Sequence, residues 1–326
     1  MKSLASSKIF ITGATGFVGS NLTRRLVDRG ADVYANIRET SNTWRLDDIL
    51  KDISVVKTDL MNYDKLRDQL EKIKPNIIIH TAIYGGGGSQ RDIEKIVNTN
   101  IIGSVNLLRS CANLNINQLI NTGTSSEYGI KHMPMKETDQ LEPINDYGVS
   151  KAAVTMFCKK FAFVEELPII TLRLFSPFGK YEHITRVVPA TVLSALRNQN
   201  PLISSREYVR DFIYIDDVLD AYEAAIHNNN FHGQIYNVGT GIQHSIGEVA
   251  DALTAAVGND VKVETGMTPF WDNEPKTWCA DIHQIEHDLN WKPQNTFIEG
   301  ITKSVKWIKE NVSLYDNWRS HENTNA

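Results

Sequence analysis

The stretch Lys8-Ile9-Phe10-Ile11-Thr12-Gly13-Ala14-Thr15-Gly16-Phe17-Val18-Gly19 decides the fold. Ile9-Phe10-Ile11-Thr12 is a short β-branched and aromatic run of the kind that forms a buried strand. Gly13, Gly16 and Gly19 follow at three-residue spacing, and apolar residues then recur every three or four positions through residue 29, which predicts a helix. A strand, a glycine turn and a helix in that order form a phosphate-binding turn. Glycine permits the tight reversal, lets backbone approach a pyrophosphate, and lets the helix pack on the strand. The helix N-terminus adds N–H groups and partial positive charge for the anion. The expected cofactor contacts are therefore Gly13, Thr15, Gly16, Phe17, Val18 and Gly19. A purely structural tight turn is the competing reading, and the flanking strand and helix favour a dinucleotide.

Working outward, strands are expected at 8–12, 32–37, 54–57, 76–80, 118–121 and 168–174, and helices at 17–29, 63–72, 91–114 and 146–164. Strands alternating with helices imply right-handed crossovers and an α/β, doubly wound parallel sheet of the Rossmann type. After Phe175 the punctuation becomes irregular, with Ser176-Pro177, Phe178-Gly179, Asn200-Pro201 and Gly239-Thr240-Gly241. The stretch 265–278 has prolines and aromatic rings but no period, and long aromatic loops of this kind are functional more often than disordered. The expected organisation is a dinucleotide-binding domain at 1–175, to which about 210–240 returns, and a smaller interleaved substrate-binding lobe at 176–209 and 241–311. A polar tail at 312–326 is expected to fray.

Composition narrows the partners. Of 326 residues, 41% are apolar and 22% charged, which excludes wholesale disorder. Lys plus Arg is 34 and Asp plus Glu 39, and the net charge of −5 lacks the basic footprint of a nucleic-acid or polybasic membrane protein. Cys111, Cys158 and Cys279 are too few for a disulfide framework and fit a reducing cytosol. No apolar run reaches the ~18 residues of a membrane span, and Ile9-Phe10-Ile11 runs into glycines instead of forming a signal-peptide core. A soluble cytoplasmic protein is expected.

The cofactor choice falls at the end of the second strand. A site for NAD usually has an acidic residue about 20 positions after the glycine turn. Here the strand ends Asn36-Ile37-Arg38. Arg38, helped by Ser41 or Asn42, suits the 2′-phosphate of NADP, with NAD the alternative; a solvated loop charge is the plainer reading of Arg38. Asp59 and Leu60, after the third strand, fall where an adenine edge would lie, although an ordinary turn aspartate is the plainer reading.

Tyr147-Gly148-Val149-Ser150-Lys151 sets a phenol and an ammonium at i and i+4 on one helical face. A phenol titrates near 10, so acid–base work at neutral pH needs a nearby cation, and Lys151 is expected to supply it and to bond the nicotinamide ribose. Thr124, in Asn121-Thr122-Gly123-Thr124-Ser125-Ser126, falls at the carboxyl end of a predicted parallel strand, where such sheets bind ligands.

The 13–19 turn, the Thr124, Tyr147 and Lys151 set, Arg210-Asp211-Phe212 leading into Ile215-Asp216-Asp217, and Asn237-Val238-Gly239 span nearly the whole chain. In that order they resemble the extended short-chain dehydrogenase/reductase family, of the kind that modifies nucleotide-activated sugars. The resemblance implies that Tyr147 is the acid/base at a sugar oxygen, that Thr124 hydrogen-bonds the same oxygen, and that a nicotinamide exchanges hydride with the adjacent carbon.

Such relatives include 4-epimerases, 4,6-dehydratases and 4-keto reductases. Dehydratases carry an acid and a base directly after the threonine, whereas Ser125 and Ser126 stand there and Glu127 comes one place late, which disfavours dehydration. Epimerases usually retain NAD and reductases usually consume NADPH, so Asn36-Ile37-Arg38 favours reduction of the C4 keto group of a nucleotide-diphosphate 4-keto-6-deoxyhexose. The 4-epimerase is the alternative. A catalytically silent dinucleotide sensor is the reading from another class, and it has no use for a tuned phenol. On the substrate side the resemblance gives Arg210 to the diphosphate, against a structural ion pair with Asp211 or Asp216. Ser176 replaces a frequent asparagine and Trp271 a second arginine, leaving Arg186 or Arg206 to substitute. Ser125, Ser126, Tyr84 and glycines 85–88 are expected to line the sugar pocket.

Other clusters read as structure. His283 and His287 lack a third ligand for a metal. Cys158 reads as a small buried apolar residue and His80 as packing near the cofactor. The helices at 92–114 and 146–164 suit a four-helix seam, so a homodimer is expected.

Overall fold

The computed structural model describes residues 4–5, 7–86, 90–228, 232–266 and 276–316. In chain order, β1 (Lys8–Thr12), α1 (Phe17–Asp28), β2 (Asp32–Ile37), β3 (Ser54–Lys57), α2 (Tyr63–Ile73) and β4 (Ile77–His80) open the molecule. Then come α3 (Ile93–Ile96), a π-helical turn (Val97–Ile102), α4 (Gly103–Cys111), β5 (Gln118–Thr124), α5 (Asp146–Val164) and β6 (Ile169–Leu174). The rest comprises β7 (Pro177–Phe178), α6 (Val187–Leu196), β8 (Leu202–Ile203), β9 (Val209–Asp211), β10 (Ile213–Tyr214), α7 (Ile215–His227) and β11 (Gln234–Val238). It ends with β12 (Gln243–Ser245), α8 (Ile246–Val257), β13 (Glu264–Thr265), α9 (His283–Leu289) and α10 (Phe297–Glu310).

Seven strands form one sheet in the order β11-β6-β5-β4-β1-β2-β3, and every neighbouring pair is parallel. Alternation along β1 feeds two cores. Ile9 and Ile11 join Leu22, Leu26 and Val218 on one face. Phe10 joins Leu66, Leu107 and Val154 on the other. Each such side chain contributes about 1.5–3 kcal/mol by leaving water. β11 brings residues 234–238 back to the sheet beside β6, and α7 packs on α1. Helices α6, α8 and α10 pack together in the C-terminal part. The α8 and α10 starts carry capping boxes, Ser245 with Glu248 and Thr296 with Glu299.

Three boundaries differ from the sequence reading by more than one residue. β5 runs on to Thr124 because Thr122, Gly123 and Thr124 keep parallel partners in Leu172, Arg173 and Leu174. The helix expected at 91–114 spans 93–111, with Asp92 accepting from Lys95 N at its start, and widens into the π-helical turn midway. Residues 312–316 continue as helix instead of fraying: Tyr315, only 1% exposed, lies against Trp44 and Trp307. One buried aromatic outweighs its polar neighbours.

Candidate active site

The glycine turn leaves β1 at Gly13, whose φ of +69° suits glycine. A Cβ there would stand 2.5 Å from Ala82 N, and one at Gly19 would stand 2.2 Å from Gly13 O, so strand, turn and helix meet without side chains between them. At Gly16, exposed at the head of α1, a Cβ would fill open space bounded only by Gly13 O. No side chain caps α1 and no acidic residue lies in its first turn. Its positive end is uncompensated, which fits the pyrophosphate of a dinucleotide. Asn21, beneath the turn, donates to Phe17 O and to Lys180 O, each at 2.9 Å.

At the end of β2, Asn36 is buried and donates to Thr58 O at 2.9 Å, Ile37 is buried, and Arg38 is exposed. No carboxylate stands at residues 36–38; the next residue, Glu39, is exposed and pairs with Lys57 of β3 at 3.1 Å. Arg45, absent from the sequence reading, is buried against the turn: it donates to Thr15 O at 3.2 Å and to Tyr181 O at 2.7 Å. Burial lowers its pKa to about 10. Asp59 accepts from Met61 N at 2.9 Å, an ordinary turn aspartate, and Leu60 is buried in the core with Leu66 and Leu107. Asp59 is exposed just past the end of β3, and its turn hydrogen bond leaves the adenine contact expected of this segment a proposal.

Thr124 ends β5, and α5 packs on the turn Ser125–Glu127 that follows. This brings Tyr147 of α5 to Thr124. Asn145 starts α5 by accepting from Gly148 N at 2.7 Å. Burial pushes the Tyr147 phenol up to about 12, a hydrogen bond from Thr124 and the charge of Arg186 pull it down, and Glu127 pushes it up. The charge of Arg186 thus acts on the phenol, a contribution the sequence reading did not assign. Lys151 is 2% exposed, and burial lowers its pKa against the opposing charge of Glu127. Its charge in turn lowers His80, which burial holds at about 3. His80 is neutral and bridges Thr12 Oγ1 and Ser104 Oγ, both at 2.7 Å.

The π-helical turn turns Asn100 inward, a residue that periodicity does not reveal. Asn100 accepts from Tyr84 N and donates to Tyr84 O, both at 2.8 Å, and donates to Ser150 Oγ at 2.9 Å. A Cβ on Gly85 would stand 3.5 Å from Tyr147 Cβ, so the Tyr84 loop runs beside Tyr147 where its side chain leaves α5. Ser125 is buried and accepts from Trp278 Nε1. Ser126, half-buried, donates its N–H to Thr124 Oγ1 at 3.3 Å.

Arg210, half-buried on β9, lies with its guanidinium 5.0 Å from the centre of the Trp278 ring. The ion pairs considered for it go elsewhere. Asp211 accepts from the N–H groups of Thr240, Gly241 and Ala280, and Asp216 faces Arg25 and Lys180. Arg206 pairs with Asp251 on the surface. Arg186 stands 3.8 Å from buried Glu182, whose burial raises it to about 8. Half-buried Ser176 meets β10 through its carbonyl, which accepts from Ile213 N. Trp271 and glycines 87 and 88 lie outside the described residues. His283 and His287 are exposed, each beside one aspartate, and no group of three metal-ligating side chains occurs among the described residues. Cys158 is buried, with its thiol pushed up to about 12 by burial.

A parallel sheet with a bare glycine turn, and a threonine at the carboxyl end of β5 beside a helix carrying a tyrosine and a lysine, are the features of a dinucleotide-dependent enzyme. The NAD dependent epimerase/dehydratase family model matches residues 9–239. The chain belongs to this family, whose nucleotide-sugar epimerases, dehydratases and reductases make it an enzyme of that group. It is 26% identical to a putative UDP-glucose 4-epimerase of Methanocaldococcus jannaschii, over 93% of this chain and 99% of that protein. It is 27% identical to an Arabidopsis thaliana trifunctional UDP-glucose 4,6-dehydratase, 3,5-epimerase and UDP-4-keto-L-rhamnose reductase, over 95% of this chain and 48% of that protein, about half its length. The crystal structure of UDP-glucuronic acid 4-epimerase from Bacillus cereus with UDP-glucuronic acid and NAD superimposes with a TM-score of 0.82 at 25% identity, over 93% of this chain and 99% of that one.

Proposed function

We propose that the chain reduces the C4 keto group of a nucleotide-diphosphate 4-keto-6-deoxyhexose at the expense of NADPH. The observation that carries this reading is the end of β2, where Asn36 and Ile37 are buried and the exposed charge is the cation Arg38. A guanidinium there suits a 2′-phosphate, and the carboxylate that follows it, Glu39, is paired with Lys57. The glycine turn from Gly13 to Gly19 and the α1 terminus would hold the pyrophosphate, with Lys151 toward the nicotinamide ribose. Bound there, the reduced nicotinamide supplies the hydride for C4.

The chain's own residues then handle the oxygen. Tyr147, protonated at neutral pH, donates its proton to the C4 oxygen, and Thr124 hydrogen-bonds the same atom and steadies the phenol. Arg210 on its Trp278 platform faces the diphosphate, and Tyr84, Ser126 and Arg186 border the sugar. Dehydration is disfavoured because Glu127, the carboxylate beside Thr124, is 0% exposed with both oxygens already bonded.

A retained-NAD 4-epimerase is the second reading, favoured by the NAD in the Bacillus cereus complex. The nucleotide that purifies with the protein separates the two. A site that is empty and takes up NADPH supports reduction, whereas tightly held NAD overturns it in favour of epimerisation.

A homodimer is part of the proposal. Val149, Met156, Phe157, Phe163 and Val164 expose an apolar stripe along α5, beside exposed Ile93, Val97 and Ile102 on the neighbouring helical run. Light scattering should return twice the chain mass, and Phe163→Glu should return the monomer. Three buried free thiols, and no helix among the described residues able to cross a membrane, support a cytoplasmic location.

A further inference from the structure

Glu127 occupies a position that an apolar residue would fill at less cost, since an isolated buried carboxylate is expensive. It is fully paired. Oε1 accepts from Thr124 N at 2.9 Å, and Oε2 accepts from Thr155 Oγ1 at 2.8 Å and from Arg173 Nε at 2.9 Å. Arg173 is 1% and Glu127 0% exposed, and Arg173 also lies over the Tyr128 ring at 4.6 Å. The partners come from three elements: Thr124 from β5, Thr155 from α5 and Arg173 from β6. Gly123 makes room for the group, because a Cβ there would stand 2.7 Å from Glu127 Oε1 and 2.9 Å from Arg173 Cγ.

We propose that Glu127 is a positioning residue of the catalytic centre, its carboxylate fixing Thr124 through the backbone N–H and setting one buried negative charge against α5, which carries Tyr147 and Lys151. The roles of Thr124 and Tyr147 rest on the reading above, but the charge effect does not. Glu127 is a fixed anion, not an acid or base for the sugar, because both its oxygens are used.

The charged and titratable groups around it are Arg173 from β6, Tyr147, Lys151 and Cys158 from α5, and Tyr128 from its own turn. Arg186 acts on Tyr147 from outside this set, and Glu137 acts on Arg173 and Tyr128. Glu127 favours the Lys151 ammonium, which burial opposes, and disfavours the Tyr147 phenolate. It therefore biases lysine toward its charged form and tyrosine toward its protonated form, the pair of states that proton donation to a developing alkoxide needs.

The test is NMR titration of protein carrying tyrosine labelled with carbon-13 at the ring oxygen-bearing carbon, with the Tyr147 signal assigned by Tyr147→Phe. In the native chain this signal should stay unmoved until close to pH 12. In Glu127→Gln, which keeps an acceptor for Thr124 N but not the charge, the midpoint should fall by roughly one to three pH units. Glu127→Gln with Arg173→Met removes the ion pair as a whole, a change buried pairs tolerate better than loss of one partner. It should fold where the single variant does not, and should also show the fall. Glu127→Asp should return the midpoint toward the native value. A purely structural role would lower thermal stability and leave the midpoint where it was; that result, in either folded Gln variant, overturns the proposal. No substrate enters the titration, so its outcome stands whether the reaction is reduction or epimerisation.

Discussion

The Trp278 indole N–H donates to the Ser125 hydroxyl at 2.9 Å, across 153 positions of sequence. Trp278 also lies beneath the Arg210 guanidinium, and it packs in a small cluster with Tyr128, Met135 and Phe175. One ring thus joins the turn after Thr124, proposed as catalytic, to the cation proposed for the diphosphate.

Trp278→Phe keeps most of the ring surface and removes the hydrogen bond, worth about 0.5–1.5 kcal/mol. It should raise the KM for the nucleotide sugar by up to roughly tenfold and leave kcat nearly unchanged, because Ser125 and Arg210 are proposed to hold the substrate at points away from the reacting atoms. Steady-state kinetics on the native chain and the variant checks this; a fall in kcat with KM unmoved would place Trp278 in the chemistry instead.

Tyr147→Phe removes only the phenolic oxygen. Loss of a general acid costs about 10²–10⁴-fold in turnover. Cofactor binding should stay close to native, since the glycine turn and Lys151 are untouched. Fluorescence titration of the cofactor alongside single-turnover kinetics separates the two effects.

Arg38→Ala should weaken NADPH binding by about 10–100-fold, the worth of a charge-assisted hydrogen bond of roughly 1.5–3 kcal/mol. NADH binding should be spared. Equal loss of both nucleotides in parallel titrations would remove Arg38 from the 2′-phosphate and favour the solvated loop charge.

His80 makes stability depend on acid. Burial holds its folded pKa at about 3, below the ordinary 6.5, so between these values the unfolded chain binds the extra proton. Stability contributed by this site is complete above pH about 6.5 and falls as pH drops through the window, at up to about 1.4 kcal/mol per pH unit. His80→Gln lacks the titration. Denaturant unfolding at pH 7 and pH 5 should therefore show a shallower loss in the variant than in the native chain.

Much of the fold was legible because its signals are local. Lys8–Thr12, Asp32–Ile37 and Ser54–Lys57 stand where the β-branched runs put them, and α5 begins and ends with its apolar period. Tyr147 and Lys151 follow from a single helical turn. The illegible residues act across distance or through irregular backbone. Asn100 faces Tyr84 only because the helix widens to a π-helical turn, which no period encodes. Glu127 meets Arg173 across two strands, and Arg45 reaches Thr15 from a loop 30 positions on. A carboxylate beside a threonine reads as a displaced acid until the arginine that holds it is seen.

The most direct test of the central claim mixes the protein with NADPH and a nucleotide-diphosphate 4-keto-6-deoxyhexose and follows the reduced-nicotinamide absorbance. The account predicts stoichiometric oxidation, one NADPH for each 4-hydroxyl formed, and none with Tyr147→Phe on the same timescale. Interconversion of 4-hydroxy epimers with no net change in absorbance would contradict it.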